Sequence, residues 1–193
     1  MTAGQVVLEA SLDVAGKPSD AVARLAYIDA FYQVGLKNPI DDAICAAVKC
    51  DASRVTKLGE LPYDFNRRRL SILFTDGAGA TPTLVSKGAL DSILEVCTTA
   101  QGPDGGSVLI ASVRDAVQKL FLDLSNQGYR VLGVATRALE GEPSTGLADE
   151  AQMMLVGFVT FADPAKPDAA RTLEDLAGNG ISVRMLTGDN RLV

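Results

Sequence analysis

Thr187, Gly188 and Asp189 directly follow the apolar run Ile181 to Leu186. In an open α/β sheet that is the strand end at which ligands bind, and a hydroxyl beside flexible backbone there can hold a phosphoryl oxygen. An ordinary strand-to-loop turn uses the same triplet. Lys87-Gly88-Ala89 follows a strand-like run and opens a helical one, an arrangement that sets an ammonium at a strand end while Gly88 admits a planar or anionic ligand to the backbone. A solvated lysine ahead of a helix fits that spacing equally well. Arg67-Arg68-Arg69 is a dense basic run in an acidic chain. On a strand its alternate members point to opposite faces, so at most two can serve one ligand, and at least one suits a solvated edge that discourages strand pairing. Tyr63 can stack on an aromatic base or sit in the core with its hydroxyl satisfied. Arg130, at the head of an apolar strand, can neutralise a phosphate or pair with a neighbouring carboxylate.

Composition removes many alternatives. The 193 residues contain no histidine, which excludes a Ser-His-Asp triad, a Cys-His pair and histidine-based metal sites. With 18 basic against 24 acidic residues the net charge is −6, so broad capture of nucleic acid or an anionic bilayer is not expected and any anion must be bound locally. Cys45, Cys50 and Cys97 form no CxxC pair, which argues against a disulfide framework or a metal site and fits a reducing compartment. The longest apolar run, Met153 to Ala162, is well short of the ~20 residues of a membrane span. The N-terminus shows no signal pattern, and a chain soluble as given is the expectation.

The elements that must position these groups follow from periodicity and caps. Ser19 caps an amphipathic helix ending near Gly35, and Asn38 caps a second one with Pro39 in its first turn and Asp41 and Asp42 against the helix dipole. Leu58 to Tyr63, Leu70 to Thr75 and Thr83 to Ser86 read as strands, with a turn at Asp76 to Ala80. Ala89 to Cys97 reads as a short helix, Gln101 to Gly106 as a loop and Val113 to Asn126 as a longer helix. Arg130 to Thr136 is a strand covered on both faces, and Ala138 to Gln152 a loop. Strand Leu155 to Ala162, helix Asp168 to Ala177 and strand Ile181 to Leu186 then make a βαβ unit with parallel strands. The fold class is α/β: residues 1–154 form a first domain with an antiparallel sheet flanked by helices, and residues 155–193 a partial second domain.

The order of these motifs resembles the cytoplasmic part of P-type cation-transporting ATPases. The matching strings are Leu61-Pro-Tyr-Asp-Phe-Asn-Arg-Arg-Arg-Leu-Ser71, Lys87-Gly-Ala89, Tyr129-Arg-Val-Leu-Gly-Val-Ala-Thr136, Phe161-Ala-Asp-Pro-Ala-Lys166 and Thr187-Gly-Asp189. Gly35-Leu-Lys-Asn-Pro-Ile-Asp41 and the Asp-Phe-x-Arg-Arg-Arg run are similar to the bacterial magnesium-transporting subfamily. The resemblance implies a nucleotide-binding domain over 1–154 and part of a phosphorylation domain, of haloacid-dehalogenase type, over 155–193. It implies that Tyr63 takes the adenine-stacking position, that Asp41 faces the adenine amino group, that Arg68 lies beside the nucleotide, that Lys87 and Gly88 belong to the Lys-Gly-Ala signature and that Arg130 reaches the phosphates. Asp163 and Pro164 fall in the hinge, and Thr187, Gly188 and Asp189 beside the phosphorylated aspartate.

The implied ligand is ATP with its Mg²⁺. The implied partners are the actuator, phosphorylation and membrane domains of an ion pump at the cytoplasmic face of the bacterial inner membrane, with no nucleic acid and no membrane insertion by this segment. The sequence departs from the family in containing no Asp-Lys-Thr-Gly-Thr string and no Gly-Asp-Gly-x-Asn-Asp motif, so the segment by itself is expected to bind nucleotide without turning it over and to hold no metal of its own. Smaller departures are Ala165 where a second proline is common, Leu90 after the signature, and Tyr63 in place of phenylalanine. A self-sufficient haloacid-dehalogenase-type phosphatase and a non-catalytic interaction domain are the alternatives from other classes.

Overall fold

The computed structural model describes residues 6–35, 38–140, 146, 149–163 and 169–184. Among these described residues, five helices and eight strands follow in the order β1 (Val7–Asp13), α1 (Asp20–Tyr32), α2 (Pro39–Ala47), β2 (Val55–Asp64), β3 (Arg69–Asp76), β4 (Thr83–Ala89), α3 (Leu90–Val96), β5 (Cys97–Gln101), β6 (Ser107–Leu109), α4 (Ile110–Asn126), β7 (Arg130–Ala138), β8 (Met153–Ala162) and α5 (Ala169–Gly178). The local signals behave as their chemistry requires. The Val22 N–H donates to Ser19 Oγ at the head of α1 and the Ile40 N–H to Asn38 Oδ1 at the head of α2, where each cap satisfies a donor that has no helical partner.

All eight strands join one sheet in the order β2-β3-β4-β7-β8-β5-β6, with β1 also beside β8. Pairing is antiparallel except between β5 and β8. One face carries α1 and α2 over a core of Val22, Ile28, Ile44, Ile72, Val85, Val134 and Phe161. The other carries α3 and α4 over Leu73, Leu84, Ile93, Val117, Leu155 and Phe158. Strand alternation assigns neighbouring residues to the two cores, as with Ile72 and Leu73 on β3, so the sheet is the shared wall of both.

Three sequence expectations change here. β8 does not open a second domain: β7 lies along one of its edges, while β5 (at Met153–Leu155) and β1 (at Gly157–Ala162) lie end to end along the other. The expected boundary at 154/155 therefore runs through a central strand, and the apolar run Met153 to Ala162 is explained by burial on both faces of this sheet. Secondly, the βαβ unit is not formed among the described residues. With both edges of β8 taken no further strand can dock there, and residues 181–184 carry no strand, although helix α5 is present. Thirdly, β1, β5 and β6 had not been expected; β5 and β6 make a hairpin around the Gln101 to Gly106 loop.

The crossing of β1 over β8 depends on Gly157, beside a bulge at Val156. A Cβ there would lie 2.0 Å from the Leu12 carbonyl oxygen and 2.8 Å from Val22 Cγ2. Gly157→Ala must separate β1 from β8, at a cost of roughly 1–3 kcal/mol or more. Urea unfolding should show a lower midpoint than the wild type, and an unchanged midpoint would contradict this pairing.

Candidate functional site

At the end of the sheet where β3 begins and β4 finishes, a cavity of about 630 Å³ opens between the α1–α2 connection, the β2–β3 turn and the sheet. Its wall includes Asn38 and Asp41 at the head of α2, Tyr63, Phe65 and Arg68 of the turn, Leu70 of β3, Lys87 and Gly88 of β4 and Leu132 of β7. Five of the six residues expected to bind a ligand, Asp41, Tyr63, Arg68, Lys87 and Gly88, therefore share one cavity. The sixth, Arg130, does not line it. It lies two residues before Leu132 and so on the same face of β7, about 7 Å further along the strand.

The floor of the cavity is an ion cluster. Lys87 is not a strand-end lysine in solvent: it lies inside β4, 6% exposed, with Nζ 2.5 Å from Asp41 Oδ1 and 2.7 Å from Asp29 Oδ1. Asp29, from the buried side of α1, is fully inaccessible, and neither of its carboxyl oxygens has an aligned hydrogen bond among the described residues. Burial pushes the Asp29 carboxyl up to about 7, against the pull of Lys87. Burial also works to lower the Lys87 value, but attraction to Asp29 and Asp41 outweighs it and holds the ammonium above the ordinary lysine range.

The rim is aromatic. Tyr63 and Phe65 meet edge to face with ring centroids 5.4 Å apart, and Phe65 is 81% exposed. A phenylalanine so uncovered leaves a π-face open beside a polar floor. Gly88 is required by the crowding of β3 against β4, since a Cβ on it would meet the Arg68 carbonyl oxygen at 2.4 Å and Arg69 Cβ at 2.5 Å. The Ala89 N–H donates to that same Arg68 carbonyl, and Arg68 takes a φ of 49°, an uncommon conformation for a side chain other than glycine. Close approach at Gly88 thus holds the arginine at the cavity.

The arginine run divides by face. Arg68 goes to the cavity, while Arg67 and Arg69 turn to the other side of the sheet, Arg69 buried and Arg67 partly so. Arg67 Nη1 donates to both oxygens of Glu150 at 2.6 and 2.7 Å, Arg69 Nε donates at 2.8 Å, and the Ser71 hydroxyl adds a fourth bond at 2.6 Å. Ser92 Oγ donates to the Arg67 carbonyl. Burial tends to raise the Glu150 carboxyl, but these donors outweigh it and hold the group below its ordinary value. The sequence reading missed Asp29, Phe65 and Glu150. Phe65 was visible inside the Asp64 to Arg69 string, whereas a lone acid on an apolar helix and an acid about 80 residues from its arginines carry no local signal.

Elsewhere, Asp163 is exposed immediately after β8, and Pro164, Thr187, Gly188 and Asp189 lie outside the described residues. The three cysteines are free, with the buried Cys97 thiol pushed up to about 12 by desolvation. Among the described residues no helix is long and apolar enough to cross a membrane.

Residues 13–168 match the family described as P-type ATPase, cytoplasmic domain N. The chain belongs to that family. Over its whole length it is 37% identical to "Magnesium-transporting ATPase, P-type 1" of Salmonella typhimurium and 36% identical to the Escherichia coli K12 protein of the same name. It spans 22% of the length of each. A more distant relative, "Calcium-transporting ATPase 2, endoplasmic reticulum-type" of Arabidopsis thaliana, is 31% identical over 72% of this chain and 15% of its own length. The family match ends beyond β8, in keeping with β8 as an integral strand of the N domain.

Removing Glu150 leaves the buried Arg69 and the partly buried Arg67 without their counter-charge. Glu150→Ala should cost roughly 3–5 kcal/mol by chemical denaturation. The sign with pH is fixed by the lowered value: the stabilisation is present above the unfolded carboxyl value of about 4.5 and is lost as pH falls through the folded one. Glu150→Gln should flatten the acid limb of stability below about pH 4.5, and an unchanged acid limb would mean that the cluster does not titrate as described.

Proposed function

We propose that the N domain binds ATP, carried as its Mg²⁺ complex, in the cavity between α2, the β2–β3 turn and β4. The observation that carries this reading is the convergence of Asp41, Tyr63, Arg68, Lys87 and Gly88 on one hollow. The groups suit the parts of an adenine nucleotide. Tyr63 and Phe65 offer aromatic surface to the base, with Phe65 the more open ring. Asp41 offers a carboxylate to the exocyclic amino group while Lys87 fixes it. Arg68 supplies a fork of donors at the rim, and Arg130, further along the same face of β7, extends positive charge toward the phosphate tail. The cavity volume lies within the range of small-molecule sites.

In the longer protein this domain would present the γ-phosphate to an aspartate of a phosphorylation domain, coupling phosphorylation to cation movement, with magnesium the cation suggested by the names of its relatives. Asp163 and Pro164, directly after β8, would form the hinge to that domain, and Thr187, Gly188 and Asp189 would stand beside the phosphorylated group. The partners are then the actuator, phosphorylation and membrane parts of the same pump, and the place of work is the cytoplasmic face of the bacterial inner membrane.

Calorimetric titration of the 193-residue chain tests the reading. ATP should bind saturably and GTP more weakly. Phe65→Ala should lose about 1–3 kcal/mol of binding, the usual worth of stacking one base on an aromatic ring, and Arg68→Ala should weaken ATP more than adenosine. Phe65 and Arg68 lie on the turn, so both variants should keep the wild-type unfolding midpoint. Absence of saturable ATP binding at millimolar concentration would remove the proposal.

A further inference from the structure

We propose that Asp29, buried behind Lys87, is a positioning residue of the nucleotide pocket whose protonation state sets the charge which the Lys87 cluster presents to the ligand. The inference rests on the ATP reading of the cavity and adds to it a residue outside the cavity wall. Its basis is geometric. Lys87 Nζ sits between two carboxylates that differ in setting: Asp41 belongs to the cavity wall, whereas Asp29 lies behind the lysine on α1, fully buried and without an aligned hydrogen bond. The charged groups acting on Asp29 are Lys87 of β4, Asp41 of α2 and Glu60 of β2. Glu60 is itself held by Lys57 at 2.5 Å.

With both aspartates ionised, one ammonium faces two carboxylates and the cluster carries a net negative charge under a pocket that must accept a polyanion. With Asp29 protonated the cluster is neutral, and Lys87 is shared with Asp41 alone. Two buried carboxylates around one cation resist ionising together, and the one farther from solvent is the one that keeps the proton. The Asp29 carboxyl, raised to about 7, changes state in the range where the difference can be read. The protonated fraction of such a group falls roughly tenfold between pH 6 and pH 8, and with the neutral cluster as the binding-competent one, apparent affinity follows that fraction.

The test compares ATP binding by the wild type and by Asp29→Asn at pH 6 and pH 8. Asparagine copies the shape and neutrality of the protonated acid. ATP's own phosphate titration is common to both proteins and cancels in the ratio. Wild-type affinity should fall by about three- to tenfold more than that of the variant as pH rises, and the variant at pH 8 should bind more tightly than the wild type. A second measurement does not depend on the variant: the ¹³C carboxyl shift of Asp29 in the ligand-free wild type should show an inflection between about pH 6 and pH 8. Equal pH dependence in the two proteins, or a carboxyl inflection below about pH 5, overturns the role of Asp29 while leaving the ATP reading intact. Binding of ATP by neither protein at either pH overturns both.

Discussion

A lysine ammonium buried beneath a cavity has to be compensated, and the way Lys87 is compensated organises the site. An isolated buried charge costs several kcal/mol, which only well-placed counter-charges offset. Here the counter-charges come from two helices, Asp29 from α1 and Asp41 from α2, and converge on the sheet at β4. The two helices cannot slide over the sheet without exposing one charge or stranding another. The head of α2, whose residues line the cavity, is thereby fixed relative to Gly88 and Leu70 on the sheet.

A second charged cluster lies on the opposite face at the same end of the sheet. Glu150 gathers Arg67, Arg69 and Ser71 from the start of β3, and Arg137 of β7 donates to the carbonyls of Asp149 and Ala151 on the same segment. The residue between the two arginines, Arg68, is left to the cavity. The β2–β3 turn is thus anchored from behind by ion pairs to the buried Glu150, while its exposed side carries Tyr63, Phe65 and Arg68 forward. This back anchoring suits a recognition loop, because side chains held in place before binding lose less freedom when a ligand arrives.

The sequence conveyed local features well and long-range ones poorly. The caps at Ser19 and Asn38, the strands around Leu70 and Leu84 and the paired apolar faces follow from periodicity and side-chain chemistry within a few residues. The strand Met153 to Ala162 was recognisable as a buried strand, but its partners were not, since an apolar run does not say which sheet will cover it. The same limit hid β1, which becomes a strand by pairing with residues some 150 positions away. In the site, Lys87 and Gly88 were legible as a motif, yet the motif reads equally well as a solvated lysine in front of a helix. Only the fold reveals that the lysine is buried between Asp29 and Asp41, and that the glycine is there because β3 passes too close for a side chain.

The pairing of β1 with β8 bears on how the domain can be joined to anything else. Val7 lies opposite Ala162 in an antiparallel ladder, so the path into the sheet and the path out of it run side by side. A body attached at that point is joined through two adjacent strand ends, whose Leu8 and Phe161 pack into the core under α1 and α2. From that junction a continuous ladder runs from β8 through β7 to β4, the strand that holds Lys87.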